Sequence, residues 1–367
     1  MSNSLAKGRI VSIDALRGFD MFWIMGGDFL FRSIFKLFDN PVGRTLHDQI
    51  EHKSWDGFAA YDLIFPLFLF IVGLSMPFSI TRRLERGDSR AGLYKHILIR
   101  ASMLFAFGLI YGGILNFEFA TMRWPGVLQR IALCYLFAGL IVMNTKIRGQ
   151  VIWALGILIA YFVAMKFVPV PGFGAGVLTP EGNLASYIDR LIVPGRFCCF
   201  EFGDNEGLFS TIPAISTALL GVLSGHWLCS ATDGLRKVKG LIVAGVSLLA
   251  VGILWGFAFP INKLLWSSSF VLFAGGWSIL LLALFYYVID VRGISKWAFP
   301  FIVIGMNPIT IYMAQRVINF RGISEFFVNG FAGIFGPGEA IVLAASLLMA
   351  KWIFLYFLYK RKIFLRV

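Results

Sequence analysis

Apolar residues run along this chain in blocks of about twenty, separated by short charged stretches, which is the spacing of helices that cross about 30 Å of hydrocarbon. The blocks predict spans at roughly 15–37, 60–80, 96–115, 126–144, 150–168, 209–229, 240–259, 266–288, 299–319 and 340–359. The expected fold is therefore all-α, a polytopic transmembrane bundle of about ten helices. One connection, 169–208, is long, Gly- and Pro-rich at its start (VPVPGFGAGVLTPEG) and acidic toward its end, whereas the others are short. Nothing resembling a soluble domain, a low-complexity tail or a repeat interrupts the array, so residues 1–367 read as a single transmembrane domain. The first twelve residues are polar and basic, and no cleavage site follows a short apolar core, so an uncleaved N-terminus is expected.

Composition sharpens this picture. The hydrophobic set makes up 58% of 367 residues and charged residues 14%, with a mean hydropathy of +0.78. Soluble domains carry about 25% charged residues, so a soluble globular protein and a soluble domain on one anchor are both excluded. A net charge of +13 would point to nucleic acid in a soluble chain, but the positive-inside bias and anionic lipid headgroups explain it more simply, and no nucleic-acid partner is expected. With the N-terminus inside, the inside segments hold eighteen Lys and Arg against four acids (Glu85, Asp88, Asp233, Asp290), and the outside segments nine against twelve. Every inside loop contributes, which places both termini in the cytoplasm. The four cysteines (Cys134, Cys198, Cys199, Cys229) show neither C-x-x-C nor His-rich spacing, so no metal site is expected, and adjacent Cys198 and Cys199 read as ordinary loop residues.

The charges left over lie inside the spans. Asp14, Asp20, Asp28 and Asp62 belong to the first two helices, and Arg17, Arg32, Arg100, Arg130, Arg316 and Lys351 lie within or near others. Charge at a span centre costs at least ~2.5–3.5 kcal/mol, so it usually faces inward and serves function. Asp14 and Arg17 are three apart and share a helix face, either as a structural pair or as part of a site. His52 precedes the second span on the outer side; a lone loop histidine is as a rule solvated, yet imidazole can take and give a proton near neutrality. Asp62 and Pro66, one turn apart, point to a cavity rather than to lipid. Gln129 and Arg130 start the fourth span, where an arginine suits a phosphate or carboxylate, or pairs with a helix-edge acid. Asp204 and Glu206 enter the sixth, as a cation site or as simple helix-start acids. Asn307-Pro308 breaks the ninth, and Gly221-x-x-x-Gly225 carries little weight on its own. These residues alone leave two readings open, an enzyme and a proton-coupled sugar transporter relaying protons through Asp14, Asp28 and Asp62. The lack of visible paired half-helix repeats counts against the transporter.

Seven strings in order carry a further signal: SIDALRG (12–18), HKSWDGF (52–58), YDLIFPLFLFIVGLSM (61–76), GVLQRI (126–131), DNEGLFSTIPAI (204–215), NKLLWSSSFV (262–271) and GMNPITIY (305–312). Together they resemble the heparan-alpha-glucosaminide N-acetyltransferase family, most closely its bacterial branch. The resemblance implies transfer of an acetyl group from cytoplasmic acetyl-CoA to the amine of a glucosamine-type sugar on the other side of the membrane. It implies His52 as the central catalytic residue, acting as general base in direct transfer, the preferred route, or as a transient acetyl carrier. Asp62 and Asp28 belong to the same candidate catalytic set. Asp28 stands where the animal lysosomal branch aligns an Asn, so orienting or charging His52 is its expected role. Asn307 or the backbone opened near Pro308 is the candidate oxyanion donor. Arg130 with Gln129, and more weakly Arg9 and Arg17 with Asp14, are the candidates for CoA phosphates. Trp55, Asp204 and Glu206 are candidates for holding the acceptor. Against the animal branch, a large luminal N-terminal domain and an extra span are expected to be missing, so the resemblance implies a bacterial inner-membrane enzyme acting on a small amino sugar or glycan fragment, with homodimerisation a family-based expectation.

Overall fold

The computed structural model describes residues 10–365; Arg9, one of the candidate CoA ligands, lies outside them. In chain order the helices are α1 (Val11–Phe22), α2 (Asp28–Phe35), α3 (Pro41–Ile50), α4 (Ile64–Glu85), α5 (Arg90–Gly112), α6 (Val127–Asn144), α7 (Ile147–Phe167), α8 (Leu184–Ile192), α9 (Thr211–Cys229), α10 (Gly234–Gly256), α11 (Ser268–Phe285), α12 (Phe299–Gly305), α13 (Pro308–Val317), α14 (Phe320–Ala332) and α15 (Glu339–Lys360). Strand structure among the described residues amounts to two-residue pairs, Pro169–Val170 with Gly174–Ala175 and Cys199–Phe200 with Gly203–Asp204. The all-α expectation is met, and the protein is a multi-pass membrane protein.

Among the described residues, fewer helices pass as spans by length and composition than the ten expected. Among the described residues eight helices are long and apolar enough to cross a membrane, or nine when the pair Lys296–Gly305 and Pro308–Val317, bent by 60°, counts as one. The expected first span is absent from that set because α1 and α2 carry Asp14, Arg17, Asp20, Asp28 and Arg32 and are joined by a π-helical turn, Trp23–Gly27. Gly26 sits there at φ +127°, a conformation other residues rarely adopt. The stretch before the last span, expected as a loop, is α14, which packs against α15.

The chain divides into two compact units. The first comprises residues 10–53, 59–64 and 281–365. Its main seam is α1 against α12, where the helices meet backbone to backbone: a Cβ on Gly18 would fall on the Phe301 carbonyl, and one on Gly305 on the Asp14 carbonyl. Without a hydrophobic drive between helices in lipid, such close small-residue packing is what holds them together. Asp290, in the π-helical turn Tyr286–Val291, accepts the orphan N–H groups of Val11 (3.1 Å) and Ser12 (3.0 Å) and so caps α1 from a distant element. Lys351 of α15, 8% exposed, donates to the Met25 carbonyl in the π-turn (2.6 Å) and to Gln315 Oε1 (2.8 Å).

The second unit comprises residues 54–58 and 65–280. Gly221 and Gly225 prove to matter: a Cβ on either would meet the α4 backbone at Phe70 and Leu74. The connection between α7 and α9 is built around α8, with Trp55 packed edge-on to Phe200 at 5.6 Å. Cys198 and Cys199, expected as ordinary loop thiols, are instead joined to each other in a disulfide, with Cys199 at φ +79°. The Cys198 N–H donates to Asp204 Oδ2 (2.9 Å), which ties this turn to the strand pair.

Candidate functional site

The best-formed chemical arrangement lies in the first unit, in the segments after α3 and before α4. The chain leaves α3 in extended conformation at Glu51, and the 3-10 turn Ala60–Leu63 brings Asp62 back beneath His52. His52 Nδ1 and Asp62 Oδ1 are 2.7 Å apart. The Asp62 side chain is 1% exposed, and its second oxygen accepts the N–H groups of Ala59 (3.0 Å) and Lys53 (3.4 Å). An ionised carboxylate only accepts, and with Asp62 in that state the contact puts a proton on His52 Nδ1. The His52 side chain is 49% exposed, half in and half out of the fold.

Tyr61, beside Asp62 in the same turn, packs its ring on the His52 imidazole at 4.7 Å. Arg32 lies over the Tyr61 ring at 5.7 Å, donates to the Ile50 carbonyl (3.1 Å), and approaches Asp28 and Glu51, each at 3.5 Å. Asp28 in turn faces the Tyr61 hydroxyl. His52 and Asp62 are thus in direct contact, whereas Asp28 reaches the histidine through Tyr61. Tyr61 and Arg32 are parts of the arrangement that the sequence reading did not single out as site residues, although Tyr61 stands inside one of the motifs and Arg32 one turn after Asp28.

The other candidates fall elsewhere. Asp14 and Arg17 pair at 3.2 Å on α1, with Arg17 also reaching the Gly305 carbonyl (3.5 Å). Asn307 opens the bend before α13, and its amide is engaged by the C-terminal segment: Nδ2 donates to the Ile363 carbonyl (3.0 Å), and Oδ1 accepts from Leu365 N–H (3.2 Å) and the Thr310 hydroxyl (3.2 Å). It thereby clasps the chain's end.

In the second unit Arg130 is 1% exposed, lies over the Trp266 ring at 4.8 Å, and donates to Thr211 (3.2 Å), the Gly207 carbonyl (3.1 Å) and Ser210. It fastens the 207–211 turn to α6, at the end of that helix remote from basic Lys146 and Arg148. Gln129 donates to the Trp124 carbonyl (3.0 Å) under Gly108 and Gly126. Trp55 donates to the Leu178 carbonyl (2.9 Å). Asp204 and Glu206, expected to hold a cationic acceptor, are both bound by Arg123. Burial works against the Arg123 charge, but the two carboxylates outweigh it and hold the guanidinium above its ordinary range. Beside them Asp189 accepts the Leu208 N–H (2.9 Å), and burial pushes its carboxyl up to about 6 despite that donor.

The comparisons with known proteins agree with this motif set. The family model described as heparan-alpha-glucosaminide N-acetyltransferase, catalytic, matches residues 9–250. The mouse heparan-alpha-glucosaminide N-acetyltransferase is 28% identical over 375 residues, 86% of this chain and 56% of the relative. The human protein of that name is 28% identical over 420 residues, 98% of this chain and 60% of the relative. The chain thus spans less than two thirds of the length of these relatives. With the model match covering well over half its residues, the chain belongs to the heparan-alpha-glucosaminide N-acetyltransferase family.

Proposed function

We propose that this protein is a transmembrane acetyltransferase that moves the acetyl group of cytoplasmic acetyl-CoA to the amine of a glucosamine-type sugar on the opposite side, with both termini cytoplasmic. The observation that carries the reading is the His52–Asp62 contact: a buried, fully engaged carboxylate holding a half-exposed imidazole in the tautomer whose Nε2 accepts a proton. In direct transfer the sugar nitrogen attacks the thioester carbonyl carbon while Nε2 removes its proton. The tetrahedral intermediate collapses, the C–S bond breaks, and the proton on Nε2 passes to the departing thiolate, giving the amide and free CoA. Asp62 stabilises the imidazolium between the two proton transfers, and the Tyr61 ring holds its plane.

The test is label transfer from acetyl-CoA to glucosamine by the purified chain. His52→Ala is expected to abolish transfer while CoA still binds; a fully active variant would end the assignment. Mass spectrometry after incubation with acetyl-CoA alone separates the two routes, since only the carrier route leaves an acetyl group on His52.

A further inference from the structure

Asp20 is the most anomalous side chain among the described residues. It is fully buried in α1, and neither carboxyl oxygen has a hydrogen-bond partner, whereas Asp14 pairs with Arg17 and Asp28 with Arg32 on the same chain segment. An ionised carboxylate so placed would lose several kcal/mol of hydration with nothing in return. The protonated carboxyl, with one O–H donor and one carbonyl acceptor, fits the site but still leaves both groups unused. Its position is also particular. It stands six residues, about 9 Å along α1, from Asp14, and eight residues before Asp28 across the π-turn, and it lies within electrostatic reach of Tyr61, the ring packed on His52. Asp20 is therefore a vacant donor–acceptor pair part-way along the helix that leads to the His52 cluster.

We infer that Asp20 hydrogen-bonds an amide group in the arm of the acyl donor. This rests on the acetyl-CoA reading above. Delivering an acetyl group from the far face to His52 carries the pantetheine arm, with its two secondary amides, through a region without bulk water, where each unpaired amide costs about 1–3 kcal/mol. A carboxyl and an amide complement each other: the O–H donates to the amide carbonyl, and the amide N–H donates to the carboxyl carbonyl oxygen. Asparagine offers the same pairing in a similar shape, leucine none.

The test uses the purified full chain, its Asp20→Asn and Asp20→Leu variants, CoA binding by calorimetry, and kcat/KM for acetyl-CoA against ethyl thioacetate, a thioester without amides. Asp20→Leu is expected to weaken CoA binding about tenfold and to lower kcat/KM about tenfold more for acetyl-CoA than for ethyl thioacetate, with Asp20→Asn restoring both. A structural role would lower both donors alike. Unchanged CoA binding in Asp20→Leu, or an Asp20→Asn variant as impaired as Asp20→Leu, overturns the inference while leaving the acetyltransferase reading intact. A wild-type chain that binds no CoA overturns both.

Discussion

Replacing Asp62 by Asn probes the site with a change of one atom, and the hydrogen bonds around it determine the result. Asp62 Oδ1 meets His52 Nδ1, and Oδ2 accepts from Ala59 and Lys53. If the Asn oxygen stays with the two backbone donors, its NH2 faces Nδ1; the imidazole must then accept there, which moves its proton to Nε2 and removes the base. If the amide turns over, the histidine contact survives but NH2 opposes two N–H groups at a side chain 1% exposed, at about 1–3 kcal/mol of stability for each orphaned donor. The first arrangement is the cheaper, so the fold is expected to survive and catalysis to fail. General base catalysis contributes roughly 10²–10⁴ in rate, and kcat should fall by about that factor with little change in KM for either substrate. The assay is steady-state label transfer, with a thermal melt of the same preparation as control. A variant with kcat above a third of wild type, folded normally, would refute the role given to the His52 tautomer.

Other expectations follow from single contacts. Asp290→Ala removes the cap of α1 and should lower stability by about 0.5–2 kcal/mol, seen as a lower midpoint in a detergent melt, with Asp290→Asn intermediate. Arg123→Ala leaves buried Asp204 and Glu206 without their cation and should cost about 3–5 kcal/mol, measurable as loss of folded yield. Gly18→Val drives a side chain into the Phe301 carbonyl and should abolish a monodisperse peak in size-exclusion chromatography. For Asp189 the folded carboxyl titrates near 6, above its unfolded value of 3.8, so the folded state holds the proton more tightly. Its contribution is complete below about pH 4 and is lost as pH rises through 6, by about 3 kcal/mol. Melts from pH 4 to 8 should show this decline, and Asp189→Asn should flatten it.

The spans from α4 to α11 were legible because each is an unbroken apolar run between charged or Gly- and Pro-containing turns. The first helix is legible as a charged span but not as a broken one, since the group that meets the Met25 carbonyl in the π-turn, Lys351, lies 326 residues away. α14 escaped notice because its exposed Phe326 and Phe327 and its polar Arg321 and Glu325 fit neither an apolar block nor a plain loop. At the site, His52 and Asp62 stood ten residues apart in adjacent motifs, near enough to suspect. The Arg123 partners of Asp204 and Glu206 were not, because the pairing spans 81 and 83 residues and charge alone suits a ligand as well as a neighbour. The Cys198–Cys199 bond is not legible in the spacing, because adjacent cysteines close only a small ring.

The discontinuity of the first unit bears on how the protein is made. Its residues 10–53 and 59–64 contain α1, His52 and Asp62, but α12, α15 and the Asp290 cap belong to residues 281–365. The cap alone joins positions 278 residues apart. At about 5–20 residues per second, a ribosome emits that intervening chain in roughly 15–55 s. During this interval α1 has neither its glycine seam nor its cap, and its acids are in or near the bilayer before their final neighbours exist. The first unit is begun first and completed last, so a nascent chain stopped between residues 62 and 281 holds His52 and Asp62 but not the helices that complete their unit.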